Sequence, residues 1–352
     1  MDLYVMDTDF QAIAVVDDFQ SLIWAKRYYD FGDCELYIRA SEEYVKLFRN
    51  GRFLMRNDDD MVCRIVKVEL TTDTEEGDFI TVTASDCRSI LSQRIVWFQT
   101  NFNGTVEDYI RRLVNDNIVN PSVSYRKVPN FILGQRLGLT DTIEQQVTYD
   151  PLDEKVIEIC KAYGYGTRVR FDDSNRFVFE VYTGTDRSYG QDSNDHVLFS
   201  RDFDNIISSQ YIDDRTDFRN AVLVAGEGEG VDRQRYSYGT SSGFDRYELF
   251  VDADNLSSNV EEGETIDYTE AMRAKGIEAL GEHLIVQSFE GEVEANYSYK
   301  YGIDYELGDI VQVENDYRIS ASARITEVIE TFDENGYSVI PTFQYQEVAT
   351  DD

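Results

Sequence analysis

Short runs of β-branched and aromatic residues, broken by Gly, Asp and Asn, dominate the first part of the chain. The runs are Ala12 to Val16, Ser21 to Tyr29, Cys34 to Arg39, Met61 to Leu70 and Phe79 to Ala84. This composition is typical of β-strands, and the short intervals favour antiparallel neighbours. In one run, Ile65, Val66 and Val68 lie among charged residues, which suits a strand with one buried face. We therefore predict a small antiparallel β-barrel over residues 1–98.

Residues 99–198 have a different pattern, which predicts an α+β insert domain. The predicted elements are a helix near 105–118, a second helix near 153–163 and a hairpin over 168–182. Thr105 and Asp108 have the spacing of a capping box at the start of the first helix. The second helix stops at Gly164, where a left-handed cap costs little, and Asp172 to Asn175 supply the hairpin turn.

Strand-like runs return over residues 199–352. They are Asn220 to Ala225, Arg235 to Tyr238, Arg246 to Val251, Ile310 to Glu314 and Ile325 to Phe332. A helix near 268–284 interrupts them, with Asp267 and Glu270 at capping-box spacing. We predict a second β-barrel here. The predicted fold class is β-rich α+β, with two small antiparallel β-barrel domains and an α+β insert between them.

The charge of the chain argues against tight nucleic-acid binding. The 352 residues include 68 acidic and 33 basic side chains, for a formal net charge of -35. Proteins that bind nucleic acid tightly use Lys and Arg to displace counterions from phosphate, and a surplus of carboxylates opposes this. The acidic residues are interleaved with aromatic ones throughout, so they belong to the surfaces of folded domains rather than to a disordered tail.

Little in the sequence points to catalysis. Its two histidines are His196, in a polar stretch, and His283, near the end of the third predicted helix, where a structural role is favoured. Neither Cys-His nor Ser-His signatures appear, and GxSxG is absent. A pair of carboxylates would suffice for a glycan hydrolase, but 68 acidic residues single out no pair. We predict no enzyme activity, no cofactor, and no catalytic, cofactor-binding or metal-binding residues.

Two loop motifs have simpler interpretations than ligand binding. Gly226, Gly228 and Gly230 follow a strand, as in a phosphate loop, but a strand-like run comes next instead of a helix. An acidic hairpin loop is therefore favoured over a nucleotide site. The acidic clusters Asp58 to Asp60 and Asp252 to Asn255 lack the spacing of a calcium loop, so solvated turns are favoured.

The cysteines and the N-terminus bear on where the protein is made. Cys34, Cys63, Cys87 and Cys160 have no zinc-like spacing, and free thiols are expected. The N-terminus lacks the basic and apolar regions of a secretion signal, and nowhere do about 18 apolar residues run together. We expect synthesis in a host cytoplasm, without secretion or stable membrane insertion.

Several sequence blocks resemble the tail-tip or baseplate hub proteins of long-tailed phages and prophages. They are Ser21 to Trp24, Arg27 to Tyr29, Gly32 to Leu36, Ser89 to Trp97, Ser242 to Ala253 and Tyr301 to Asn315, which includes the Leu307, Gly308, Asp309 turn. These blocks span nearly the whole chain in the order seen in the family.

The resemblance implies a structural role at the distal end of the virion tail. Such hubs form a homotrimer whose two barrels per subunit alternate in a pseudo-sixfold ring, which adapts the sixfold tail tube to a threefold tip. The implied partners are a distal tail protein ring or tail tube above, the end of the tape measure protein, and tail fibre, receptor-binding or tip proteins below. Genomic DNA passes through without tight binding. Because the chain ends soon after the last strands, no appended enzyme is expected.

The acidity then has two interpretations. Carboxylates lining the bore would keep exiting DNA from binding, or the charge serves only to keep an abundant assembly protein soluble. Strand register decides which side chains face a bore, so lumen and interface residues stay unknown. A carbohydrate-binding β-module remains the second hypothesis, with Trp24 and Trp97 as conceivable platform residues. Both lie in apolar runs, where burial or an interface is commoner.

Overall fold

The computed structural model describes residues 1–75, 77–203, 205–258, 267–293, 299–314, 317 and 320–345. Strands β1 to β13 are Leu3–Met6, Ala12–Val16, Ser21–Arg27, Asp33–Arg39, Phe53–Arg56, Val62–Thr71, Phe79–Asp86, Thr100–Thr105, Phe131–Leu133, Thr142–Val147, Gly166–Phe171, Phe177–Tyr182 and Leu198–Ser200. Strands β14 to β21 are Ile206–Asp214, Ala221–Ala225, Arg235–Tyr238, Glu248–Asp252, Val286–Val293, Ile310–Glu314, Ser320–Asp333 and Gly336–Tyr345. Helices α1 to α4 are Glu42–Leu47, Val106–Val114, Leu152–Tyr163 and Tyr268–Gly281.

The chain divides into two compact units, each built from separated stretches of sequence. Unit 1 comprises Met1–Ser89, Arg168–Tyr211 and Ser288–Tyr345. Unit 2 includes Ile90–Thr167 and Ile212–Gln287. The sequence prediction used three consecutive domains instead, and that partition stays a prediction.

Most of unit 1 belongs to one thirteen-stranded sheet. Its neighbours run in the order β14, β18, β21, β20, β3, β4, β7, β6, β5, β1, β2, and β19 pairs with both β20 and β13. The pairs from β21 to β2 are antiparallel. This gives a β-rich α+β fold, as predicted. Within the described residues the strand path is open, so the two closed barrels stay a prediction.

Alternation of apolar and polar residues explains the sheet locally. In β4, Cys34, Leu36 and Ile38 are buried while the residues between them are more exposed, as expected for a strand with one face on the core. The imperfect alternation in β6 also has a cause. The register of β6 against β7 shifts between Ile65 and Lys67, and Val66 at this irregularity is exposed.

The first and last parts of the chain meet in this sheet. β20 pairs with β3, so that Glu330 lies opposite Trp24. A core of buried residues from the later strands includes Phe199, Ile325 and Phe343. Long-range strand pairing therefore joins distant segments of the sequence. Arg27 and Glu327, which form an ion pair, are 300 positions apart.

Helices α2, α3 and α4 lie in unit 2, at the positions where the sequence predicts helices. At α2, the Thr105 hydroxyl accepts a hydrogen bond from the Asp108 backbone N–H, which confirms the predicted cap. Helix α3 ends at Gly164 with φ +69, the left-handed cap expected there. At α4, the Asp267 carboxylate accepts from the N–H groups of Thr269 and Glu270.

A three-stranded sheet packs against α4. In it, β15 pairs antiparallel with β16 and parallel with β17. Val222 and Val224 of β15 share a buried cluster with Met272 and Leu280 of α4. At Gly276 a Cβ would stand 3.0 Å from both valine side chains, so glycine permits this close approach.

Candidate functional site

Unit 1 contains a polar cavity of about 830 Å³ lined by strands and loops of that unit. The lining residues are Lys26, Arg56, Asn57, Asp58, Asp59, Asp60, Arg168, Tyr301, Gly302, Glu306, Glu330, Phe332 and Tyr337. Three of these are basic and five are acidic, so the cavity carries a net negative charge. The Tyr337 hydroxyl also donates to the Glu330 carboxylate at 2.8 Å, so charged and polar side chains dominate the lining.

A buried ionic network stands in the wall of the cavity. The Lys26 Nζ lies 2.5 Å from the Asp59 carboxylate and 3.7 Å from that of Glu330. The Arg56 guanidinium donates to both oxygens of Glu330, at 2.9 and 3.1 Å, and binds Asp58 as well. Because Arg56, Asp59 and Glu330 are nearly inaccessible to solvent, these charges depend on one another.

The pKa values in the network follow from burial and from these partners. Burial acts to lower the pKa of Lys26, but Tyr301 and the carboxylates of Asp59 and Glu330 raise it above its usual value. The pKa of Asp60 is raised by its own burial and by the neighbouring Asp59. Lys26 therefore stays charged at neutral pH, and the network is a fixed structural element.

A second buried ionic cluster lies in unit 2, between α3, α4 and β10. The Lys155 Nζ is 2.6 Å from Glu278 Oε2, and Gln145 Nε2 donates to the same oxygen at 2.8 Å. The Glu158 carboxylate lies 3.6 Å from the Lys155 Nζ. Glu278 Oε1 is buried and has no hydrogen-bond partner in the described part of the chain. Two carboxylates thus share one ammonium group.

Burial and the Glu278 carboxylate raise the pKa of Glu158 to about 7, although Lys155 acts to lower it. A protonated Glu158 can donate a hydrogen bond to Glu278, which would satisfy the buried acceptor. This cluster therefore holds a proton near neutral pH. The sequence analysis missed both clusters, although Lys155 and Glu278 interrupt apolar helix faces and so carried a signal.

The histidines lie in polar surroundings. His196 Nε2 is 2.7 Å from the Gln191 carbonyl oxygen, and its ring contacts Tyr189 edge to face. His283 follows α4, and its Nδ1 is 3.1 Å from the Asp217 carbonyl oxygen. Both rings therefore form hydrogen bonds to backbone carbonyl oxygens, and the structural role of His283 stays a prediction.

All four cysteines are buried, and none of them forms a disulfide. Burial raises the pKa of each of the thiols Cys34, Cys63 and Cys87. Thiols are unreactive in their protonated form, so these side chains behave as small apolar groups.

One loop motif has the simpler structure that the sequence favoured, but the expectation of a solvated turn is wrong for Asp59, whose carboxylate is buried against Lys26. The segment from Gly226 to Gly230 joins two antiparallel strands, β15 and β16, as a hairpin loop. The Asp252 carboxylate pairs with Arg233, and Asp59 pairs with Lys26. Within the described ranges, no group of three or more His, Cys, Asp or Glu side chains is arranged to hold a metal ion.

The two tryptophans differ in exposure. Trp24 is fully buried in the core of unit 1, so it cannot form part of a surface platform. Trp97 is partly exposed, and the Arg126 guanidinium stacks over its ring at 4.7 Å. In the part of the chain that the structure describes, no helix is long and apolar enough to cross a membrane.

Solved structures of tail proteins share this fold over 95% or more of their lengths. The tail protein from Neisseria meningitidis MC58 has a TM-score of 0.63 and 12% identity, with 98% of this chain and 96% of that chain covered. The prophage MuSo2 43 kDa tail protein from Shewanella oneidensis has a TM-score of 0.60 and 11% identity, with both chains fully covered. The prophage tail protein gp18 from Listeria monocytogenes EGD-e has a TM-score of 0.57 and 9% identity, with 98% and 95% covered.

Sequence comparison identifies the family. No curated protein matches the chain. The family model described as Siphovirus ReqiPepy6 Gp37-like protein matches residues 2–343, nearly the whole chain. The chain therefore belongs to this siphovirus Gp37-like family, and its fold is that of phage and prophage tail proteins.

Proposed function

We propose that the chain is a non-enzymatic structural protein of the virion that forms the hub of a phage tail tip. The observation that carries this proposal is the end-to-end fold similarity to tail proteins, which covers 95% or more of each chain in all three comparisons. The proposed role is an analogy at the level of the fold, and the family match over residues 2–343 supports it.

In the proposed assembly, three copies form a pseudo-sixfold ring at the distal end of the tail. The two β-barrels assigned to each copy alternate round the ring and match the sixfold tube to a threefold tip. The distal tail protein or tube and the tape measure end lie above, and fibre, receptor-binding or tip proteins dock below. A net charge of -35 favours a bore that DNA crosses without binding, because carboxylates repel phosphate.

The test is reconstitution with tail components. The purified chain is mixed with tail-tube and distal tail proteins, and the complexes are examined by light scattering and electron microscopy. The proposal expects a threefold ring with a central hole at the end of the tube. Tubes that form in the mixture but carry none of the chain at their ends, or only a single copy, would overturn the proposal.

The carbohydrate-binding alternative has one supporting observation. Trp97 and its neighbour Phe98 are exposed in unit 2, as an aromatic platform for sugar rings requires. However, Arg126 already covers one face of Trp97. Glycan arrays distinguish the two functions, since a hub of this kind needs no sugar affinity of its own.

A further inference from the structure

A set of exposed apolar side chains on unit 2 adjoins basic residues of this acidic chain. We call it the aromatic patch, and its exposed members are Ile95, Trp97, Phe98, Tyr125 and Tyr149. Tyr125 and Tyr149 are 80% and 71% exposed. Exposed apolar side chains on neighbouring segments are candidates for an interaction site in a soluble protein.

Hydrogen bonds hold the three segments of the patch together. Arg126 donates to the carbonyl oxygen of Ile95, and the Tyr149 backbone N–H donates to that of Val96. In the other direction, the Val96 N–H donates to the Asp150 carbonyl oxygen. The patch is therefore a built surface, with its backbone fixed, rather than a set of unrelated exposed side chains.

Tyr149 adopts a backbone conformation that costs energy. Its φ is +64, in the left-handed region that bulky residues rarely occupy. Such a conformation persists only where surrounding contacts impose it, and these residues concentrate at functional positions. Here the strained residue presents an aromatic ring to solvent.

The charges beneath the patch are positive and uncompensated. Arg94 donates to the carbonyl oxygens of Gln93 and Arg126, and Arg126 donates to that of Ile95 and to the Asn117 amide oxygen. Within the described residues, neither guanidinium forms an ion pair with a carboxylate. Burial, together with the repulsion from Arg94, lowers the pKa of Arg126. Lys127 adds a third, exposed positive charge.

We propose that the aromatic patch docks onto an acidic surface of a second copy of this chain. Charge complementarity selects this partner, because the chain has 68 acidic and 33 basic residues and its other surfaces are correspondingly acidic. Aromatic and Arg side chains are also those that most often supply binding energy at protein interfaces. This inference rests on the proposed ring, since it assigns one surface through which copies meet.

The test compares matched variants by sedimentation velocity at the highest soluble concentration. One variant, F98S/Y125S, truncates two exposed rings, and another, K127E, reverses an exposed charge. The control F244S removes a ring that is fully exposed elsewhere in unit 2. Far-UV circular dichroism checks that each variant remains folded.

The proposal expects the wild-type chain and F244S to self-associate alike. F98S/Y125S should weaken the association constant by about tenfold or more, as truncation of central interface residues does. K127E should weaken association most at low salt, since a rim charge acts through screened attraction. Equal oligomerisation of the wild-type chain and F98S/Y125S would overturn the proposed role of the aromatic patch, but it would not contradict the proposed ring. A strictly monomeric wild type would overturn self-association at the patch, whereas the tail role is decided separately by the reconstitution.

Discussion

The shared proton of the unit 2 cluster makes a sharp prediction for Glu158→Gln. In the folded chain the pKa of Glu158 is about 7, against an ordinary value of 4.5. Between these two values the folded state holds a proton that the unfolded state has released. This contribution to stability is therefore complete below pH 4.5 and is lost as the pH rises to about 7.

The magnitude follows from the size of the shift and the exposure of the group. A shift from 4.5 to about 7 corresponds to about 3 kcal/mol without solvent screening. The Glu158 side chain is 30% exposed, so screening reduces the effect, and we expect about 1 to 2 kcal/mol. Because Gln resembles the protonated acid, E158Q should be more stable than the wild type by only part of this amount at pH 5 and by the whole amount at pH 8.

Thermal unfolding at both pH values measures the difference. For a unit of this size, about 1 to 2 kcal/mol moves Tm by about 2 to 8 °C. Hydrogen exchange of the α3 and α4 amides assigns the change to unit 2. The control E154Q removes an exposed carboxylate from the same helix and should shift Tm equally at pH 5 and pH 8. An E158Q effect that is also equal at both pH values would refute the shared proton.

Two further predictions concern stability and reactivity. Arg56→Met leaves Glu330 buried without its guanidinium partner, so it should cost about 3 to 5 kcal/mol in urea unfolding followed by tryptophan fluorescence. The double variant R56M/E330L should recover much of that loss, and a double variant as unstable as R56M would count against an uncompensated charge as the cause. The four buried thiols should not react with Ellman's reagent at pH 8 until denaturant is added. Rapid labelling of the native protein would contradict this.

Local features of the fold were predictable because their causes lie within a few residues. The cap at Thr105 needs only the Asp108 N–H three residues later, and the end of α3 needs only the freedom of Gly164 to adopt a positive φ. The alternation in β4 likewise records one buried face. Helix α1, with only six residues, was missed because so short an apolar pattern cannot be told from a turn.

Long-range features were not predictable from the sequence. No residue near Trp24 indicates that its strand lies opposite Glu330, because the hydrogen bonds between strands are the same for any sequence. The cavity network was missed for the same reason, since Lys26, Asp59 and Glu330 come from three distant segments. Each resembled an ordinary surface charge in a chain rich in carboxylates.

The ionic network of the cavity offers one way for an acidic chain to select a single pattern of long-range strand pairing. A slipped strand register in this sheet would move side chains to the wrong face of the strand. It would also leave Lys26 or Arg56 buried without Asp59 and Glu330, at a cost of several kcal/mol. Wrong pairings are therefore penalised more than the correct pairing is stabilised. On this hypothesis R56M/E330L should keep much of its stability yet refold with a larger misfolded fraction, and uniform refolding of that variant would exclude a role for the network in selecting register.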